Sequence, residues 1–375
     1  MQDLDYMRLA LEQAGQCAND TIPNPRVGCV LQREGQIIGL GRTQRPGGNH
    51  AEIEAMQDAR ARGFEVRGAT AYVTLEPCSH TGRTGPCADA LIAAGVARVV
   101  AACPDANPQV AGQGLARLQA AGVAVECGLL RAEAEEINRG FLHRMQTGLP
   151  WFRLKMAASL DGKTALPDGQ SQWITGPQAR ADGHAFRARA CAILTGIGTV
   201  LADDPQMTVR SLPVARQPQR IIIDSRLQIP LQAKILQAQA QDRQPPLLAY
   251  AQADAGKLAQ LHARGVQTLY LPDAHGKVDL RALKQELGRR ALNEVHVEAG
   301  NKLHASLLRA ACIDELLLYL APDILGEGQP MFALPALAAL ADLPLSQRFA
   351  FFDSSLLGRD LRLRALAEAQ QAPVA

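Results

Sequence analysis

Aromatic residues make up only 4% of the chain, and two of its residues are tryptophan. Single-stranded nucleic acids are held on aromatic stacking platforms, so that class of ligand is disfavoured. Lysine is missing from residues 1–146, which hold 14 arginines against 16 acidic residues, a balance of −2; the remainder carries +4. Neither half has the basic excess that a nucleic-acid partner demands. No apolar run is long enough to cross a bilayer, so no membrane partner is expected. The opening MQDLDYMRLALEQAG is amphipathic and acidic, without the basic and then apolar regions of a secretory signal. A cytoplasmic protein is expected, and there thiols stay reduced and disulfides are disfavoured. A G-x-G-x-x-G dinucleotide fingerprint is also missing: TGIGTV supplies Gly196 and Gly198, but Leu201 stands where the third glycine would fall.

What is present suits a globular α/β protein. At 375 residues and 47% hydrophobic content, two domains are expected. Residues 1–146 alternate helical and strand patterns, from the helix LDYMRLALEQAGQCA to the strand VAVEC. Such alternation predicts βαβ units and a mostly parallel sheet with helices on both faces. Glu34-Gly35 between VGCVLQR and QIIGLG is a hairpin signal. Six cysteines, Cys17, Cys29, Cys103, Cys127, Cys191 and Cys312, read as small core residues. The pattern breaks near Gly140–Pro150, where MQTGLP reads as a linker, and a second domain over 150–375 opens with the strand WFRLKMAAS.

The remaining two cysteines stand in EPCSHTGRTGPC, residues 76–87, downstream of NHAE at 49–52. One imidazole, one carboxylate and two thiols in this order suit a catalytic zinc with three protein ligands and an open fourth position. His50, Cys78 and Cys87 are the candidate ligands. The ion would lower the pKa of a bound water to about 7. Glu52 would shuttle the proton, first as base and then as acid toward a leaving amine. Cys78 follows a strand end and Cys87 opens a helix, where ligands of open α/β sheets gather. Other readings remain open. Asn49 and Glu52 have the spacing of a capping box, and His80 could complete a closed structural site.

The zinc-deaminase signature places two residues between its cysteines, whereas eight separate Cys78 and Cys87. With TIPNPRVGCV, HAE, EPCSHTGRTGPC and CPDANPQVAGQG together, the first half resembles the pyrimidine deaminases of riboflavin biosynthesis. The whole chain resembles the bifunctional deaminase–reductases of that pathway. The resemblance implies a three-layer, cytidine-deaminase-like first domain that hydrolyses the 2-amino group of a diaminopyrimidine ribosyl phosphate. Asn24 would line the pyrimidine pocket, His80, Thr81, Gly82, Arg83 and Thr84 would shape its mouth, and Arg83 would meet the phosphate. Two positions depart from the family pattern: Thr43 replaces a frequent histidine, and Gln113 a frequent basic residue.

In the second half, VEAGNKLHASLL reads as a strand, then Gly300 permitting close backbone approach, then a helix start suited to an anion. KMAASLDGKTA, SQWITG, GIGTVLADDPQMTVR, IIIDS and VEAGNKL resemble the reductase half of the same family. This implies a dihydrofolate-reductase-like α/β domain that uses NADPH to reduce C1′ of the ribose. By that resemblance Ala157, Trp173, Thr199, Asp203, Ser225, Gly300, Asn301, Lys302 and Leu303 would contact NADPH. Lys155, Ser171, Arg187, Met207, Arg210 and Glu298 would contact the substrate, with Arg187 and Arg210 suited to its phosphate. A homo-oligomer formed through the reductase half is expected, with a small phosphorylated pyrimidine as the only other partner.

Overall fold

Glu34 and Gly35 both adopt left-handed backbone, with φ of 54° and 81°, and so close a tight hairpin. In the computed structural model, which describes residues 1–17, 21–80, 85–107, 110–239 and 241–368, this hairpin forms one edge of the first sheet. The elements around it are α1 (Asp3–Gly15), β1 (Gly28–Arg33), β2 (Gln36–Arg42), α2 (Ala51–Ala61), β3 (Thr70–Val73), α3 (Cys87–Ala93), β4 (Arg98–Ala101), α4 (Gln113–Ala120), β5 (Ala124–Cys127), α5 (Arg131–Ile137) and α6 (Arg139–Thr147). The sheet order is β2-β1-β3-β4-β5. β3, β4 and β5 run parallel, but β1 is antiparallel to both its neighbours. The sheet is therefore mixed rather than mostly parallel, because the short hairpin turn returns the chain beside itself.

Two helices approach this sheet from opposite faces. A Cβ on Gly28 would lie 1.9 Å from the Ala10 carbonyl of α1, and one on Gly41 would lie 2.1 Å from the Ala51 carbonyl of α2. Gly41 pairs with Cys29, the residue after Gly28, so the two glycines face opposite sides of the pleat. The absent side chain at Gly41 lets the first turn of α2 rest directly on β2.

Two sequence expectations fail here. Met145–Thr147 end the helix α6, so the break shortens to Gly148–Pro150. The amphipathic turn RGFLHRMQT buries Gly140, Phe141 and His143, and that burial extends the helix past the apparent linker. Cys127 is exposed rather than buried, since it ends the edge strand β5; Cys17, Cys29, Cys103, Cys191 and Cys312 are buried.

The chain divides between Leu149 and Pro150 into two units. The second contains β6 (Trp151–Ser159), β7 (Lys163–Ala165), α7 (Pro177–Arg189), β8 (Ala192–Gly196), α8 (Ile197–Asp203), β9 (Gln219–Ile223), β10 (Leu247–Tyr250), α9 (Ala255–Ala263), β11 (Gln267–Tyr270), α10 (Leu280–Arg289), β12 (Glu294–Val297), α11 (Asn301–Arg309), β13 (Glu315–Ala321), β14 (Gln329–Pro330), β15 (Phe349–Leu357) and β16 (Asp360–Ala367). Nine strands form one sheet in the order β11-β10-β9-β8-β12-β6-β13-β16-β15. All pairings from β11 to β13 are parallel, and the hairpin β15–β16 adds antiparallel to β13. β12 inserts between β6 and β8, which are consecutive among the strands of this sheet because β7 pairs separately with β14. The strand order reverses there, and reversals of this kind open a crevice at the carboxyl ends of the strands.

Beneath the sheet lies a buried charge cluster. Glu315, fully buried, accepts hydrogen bonds from Trp151 Nε1 at 2.9 Å and Arg364 Nε at 2.7 Å, with Arg153 Nε at 2.9 Å. Arg153 also donates to Glu294 at 3.0 Å, and its guanidinium stacks 5.0 Å from the Phe186 ring centre. Burial alone would raise the Glu315 pKa, but Arg153 and Arg364 hold it down to about 2 against a free value of 4.5. Its contribution to stability is therefore full above pH 4.5 and is lost as pH falls toward 2. Replacing one partner of such a cluster strands the others without compensation. Glu315→Ala should destabilise the second unit by about 3–5 kcal/mol, measured by chemical unfolding at neutral pH.

Candidate active sites

The strand β3 ends at Val73, the chain bends at Thr74 and Leu75, and its course on to Cys78 is fixed by Glu76. The Glu76 carboxylate is buried and accepts four backbone N–H groups: Asp105 at 3.0 Å and Gly112 at 2.9 Å on Oε2, Gly114 at 2.9 Å and Leu115 at 3.2 Å on Oε1. Gly114 is required at this contact, since a Cβ there would lie 1.9 Å from the Pro77 carbonyl. The loop after β4 is thus tied to the residue before the Pro77–Cys78 pair.

Cys78 and Cys87 meet because the Cys87 amide donates to Cys78 Sγ at 3.3 Å and the Ala88 amide to the Cys78 carbonyl at 3.2 Å. His50 is the N-cap residue of α2, with extended backbone. Its Nδ1 lies 3.3 Å from Cys87 Sγ and 3.6 Å from Cys78 Sγ. The three donor atoms lie within 4.8 Å of one another. A hydrogen bond from Cys87 holds the Cys78 thiol well below its ordinary range, and Cys87 is correspondingly pushed up. The hydrogen bond to Cys78 raises the His50 pKa against the effect of burial. Two thiolates this close repel, and a dication removes the conflict; one nitrogen and two sulfurs fit zinc.

Glu52 projects from the same first turn of α2 and is 3% exposed. Burial and the charge on Cys78 push its carboxyl up to about 7. The capping-box expectation fails: the cap is His50, without a side-chain cap bond, and Asn49 instead donates to Glu54 at 2.9 Å. Glu52 is thereby left for the cluster. His80 is exposed and outside the three-residue cluster, so no fourth ligand completes a closed site among the described residues. Arg83, with Thr81, Gly82 and Thr84, lies outside the described residues. Asn24 is half-buried, in the loop that enters β1. Thr43 is buried and accepts a hydrogen bond from the Val27 amide at 3.1 Å. Gln113 opens α4.

Two residues escaped the sequence reading. Glu76 was visible only as part of the EPC motif. Asp105 follows β4 at the same sheet end, and burial pushes its carboxyl up to about 6.

In the second unit, Lys155 and Ala157 project from one face of β6, and Glu298 directly follows β12. Arg187 of α7 grips both oxygens of Glu298, with Nη2 to Oε2 at 2.8 Å and Nε to Oε1. Its Nη1 donates to the Thr208 carbonyl at 3.0 Å. Lys155 Nζ lies 3.9 Å and His296 Nε2 3.2 Å from the same carboxylate. Burial would raise the Glu298 pKa, but Arg187 and Lys155 hold it well below the usual range. Arg187 is thus engaged inside the protein, whereas Arg210 is exposed beside it, its amide donating to His184 Nδ1 at 3.4 Å. Burial, with the Arg187 charge, pushes His184 down to about 4.

Among the expected cofactor contacts, Thr199 stands on α8 after β8, and Gly300–Leu303 open α11 after the neighbouring β12. Asp203 ends α8, exposed. A Cβ on Gly196 would lie 3.0 Å from Leu303 Cδ2, so the two helix starts adjoin. Gly300 itself has φ of −85° and open space around its Cα, so the protein's own packing does not demand glycine there. Ser225 follows β9, and its hydroxyl accepts from the Val278 amide at 3.1 Å. Trp173 is exposed, with the Arg180 guanidinium 4.5 Å from its ring centre, and Ser171 lies two residues before it. Met207 is buried.

A mixed α/β unit with a histidine–cysteine–cysteine cluster, joined to a unit whose parallel sheet opens at a strand reversal, defines a fused deaminase and reductase. Residues 1–103 match the cytidine and deoxycytidylate deaminase zinc-binding region, and residues 150–355 match the RibD C-terminal domain. The riboflavin biosynthesis protein RibD of Escherichia coli is 47% identical over 97% of this chain and 99% of its own; that of Haemophilus influenzae is 42% identical over 96% of each. Acinetobacter baumannii RibD superposes with a TM-score of 0.85 at 41% identity, covering 97% of this chain and 98% of its own. A Thermotoga maritima diaminohydroxyphosphoribosylaminopyrimidine deaminase/5-amino-6-(5-phosphoribosylamino)uracil reductase gives 0.85 at 30% identity, with the same coverage. The chain belongs to the RibD family of bifunctional riboflavin-biosynthesis proteins. Its deaminase domain binds zinc and its reductase domain uses NADPH.

Because the Glu76 carboxylate alone fixes four amides around the Cys78 loop, Glu76→Gln should weaken zinc binding about tenfold or more. Competition against a chelator of known affinity measures this.

Proposed function

We propose that residues 1–146 hydrolyse the 2-amino group of 2,5-diamino-6-ribosylamino-4(3H)-pyrimidinone 5′-phosphate. Residues 150–375 then reduce 5-amino-6-(5-phosphoribosylamino)uracil to its ribityl form with NADPH. The observation that carries this reading is the convergence of His50, Cys78 and Cys87 beside the buried carboxylate of Glu52.

His50, Cys78 and Cys87 hold the zinc. The ion supplies Lewis acidity that makes water nucleophilic at neutral pH. Glu52 accepts one proton of the attacking water and passes it to the departing nitrogen, so that ammonia leaves as the new C–O bond replaces the C–N bond. Burial raises the proton affinity of this carboxyl, which suits it to take a proton and return it. Asn24 faces the pyrimidine and His80 borders its mouth, while the family resemblance assigns the substrate phosphate to Arg83.

In the reductase, Ala157, Trp173, Thr199, Asp203, Ser225 and the turn Gly300–Asn301–Lys302–Leu303 bind NADPH, which supplies the hydride to ribose C1′. The C1′–O bond of the sugar ring opens, and its oxygen takes a proton. Ser171, Met207, Lys155 and Glu298 orient the sugar. Arg210, exposed, meets the phosphate more freely than Arg187, whose donors are engaged with Glu298 and Thr208.

The enzyme is assigned to the cytoplasm, a reducing compartment that suits its eight free cysteines. A homo-oligomer through the reductase unit is supported by Phe351, Phe352 and Leu356, exposed on the sheet-edge strand β15.

Glu52→Gln should abolish ammonia release by at least about a thousandfold while zinc stays bound and NADPH oxidation persists with the deaminated substrate supplied. Retained deamination in a zinc-loaded variant would sink the assignment of Glu52 as proton carrier, whereas a zinc-loaded wild-type protein that releases no ammonia would favour a zinc-stabilised binding module. Arg210→Met should raise KM for the reductase substrate about tenfold with little change in kcat, whereas Arg187→Met should lower kcat by unseating Glu298. Steady-state NADPH oxidation distinguishes them.

A further inference from the structure

The loop that carries Asn24 belongs to no helix or strand. Pro23 and Pro25 cannot donate, and the Asn24 amide reaches only the Thr21 carbonyl, at 2.9 Å. The segment is held from outside at Arg26. The Asn138 side chain accepts from the Arg26 amide at 2.8 Å and donates to the Arg26 carbonyl at 2.8 Å. This is the two-point pattern of a strand neighbour, made by one side chain 112 residues away. Asn138 is 3% exposed and is the residue at which α5 gives way to α6. On the next residue, Val27, the amide and carbonyl are both bonded to Thr43, at 3.1 Å and 2.9 Å. The loop is thus stitched on two sides just before β1 begins.

That end of β1 is the end where the zinc cluster lies. Gly28 pairs with Arg42, after which the chain runs to His50. The Gly28 amide also donates to the Thr74 hydroxyl at 3.1 Å, four residues before Cys78. Two residues upstream of the clamp, the Asn24 carboxamide makes no hydrogen bond to any described residue. A half-buried amide with free donors and acceptors, on a loop fixed by a buried clamp, is positioned for a ligand.

We infer that Asn138 is a positioning residue for deamination, acting through Asn24. It rests on the reading of Asn24 as a pyrimidine contact. It makes α5 and α6, which lie beyond the 1–103 match to the shared zinc-binding region, a working part of the deaminase site.

The test uses the full chain with Asn24→Ala, Asn138→Leu and the double variant. Ammonia release gives KM and kcat, metal analysis gives zinc content, and NADPH oxidation with the deaminated substrate reports on the reductase. Asn138→Leu should raise the deamination KM about tenfold, with kcat within about threefold and zinc and reductase activity unchanged. The double variant should be no worse than Asn24→Ala alone, because both changes remove one interaction. Asn138→Asp keeps the acceptor for the Arg26 amide and loses the donor, so its KM should fall between wild type and Asn138→Leu. If Asn138→Leu does not fold, Asn138→Asp carries the test by the same criteria. An effect of Asn24→Ala with a silent Asn138 variant overturns the inference alone. A silent Asn24→Ala overturns the reading of Asn24 and the inference with it. Loss of zinc in a folded Asn138 variant also overturns the inference, since a structural role would then account for the loss of activity.

Discussion

Burying a carboxylate is costly unless the fold supplies every partner it needs, and both sites of this protein are built around one that is supplied. In the first unit Glu76 collects four backbone amides. Backbone groups cannot wander as long side chains do, so satisfying that one carboxylate fixes the loop after β4 against the segment leading to Cys78. In the second unit Glu298 is gripped by Arg187 and flanked by Lys155 and His296. It stays ionised despite burial. On the function proposed above, the deaminase uses its buried anion as scaffolding and keeps the chemistry on Glu52, whereas the reductase presents its anion to the substrate.

The chemistry was legible where residue type and spacing together constrain it. HAE with two Pro-Cys pairs specified an imidazole, two thiols and a carboxylate, and the fold brings the three ligand atoms within 4.8 Å. Strand and helix alternation gave most elements, because buried parallel strands read as apolar runs. The sheet's mixed character was foreshadowed by Glu34-Gly35, whose hairpin necessarily makes the first pairing antiparallel.

What stayed hidden depends on partners distant in sequence. Glu76 and its amides are more than two dozen residues apart, and no periodicity announces such a contact. Asn49 with Glu52 satisfies the capping pattern, yet packing turns Glu52 inward to the cluster and leaves Asn49 to Glu54. Arg187 and Arg210 look equivalent in sequence. Only burial separates the arginine engaged with a carboxylate from the one that faces solvent. Cys127 and α6 show the same limit: local composition does not tell which strand ends at a sheet edge, nor how far a half-buried helix persists.

Gly41 has a consequence of another kind. Its missing methyl seats the turn from which both His50 and Glu52 project. The proposed metal ligand and the proposed proton carrier therefore behave as two teeth on one gear. A disturbance of α2 would carry them together relative to Cys78 and Cys87, leaving their mutual spacing intact. Any side chain at this one position on β2 would meet the α2 backbone and shift both groups against the sulfurs, although Gly41 itself has no part in the proposed reaction.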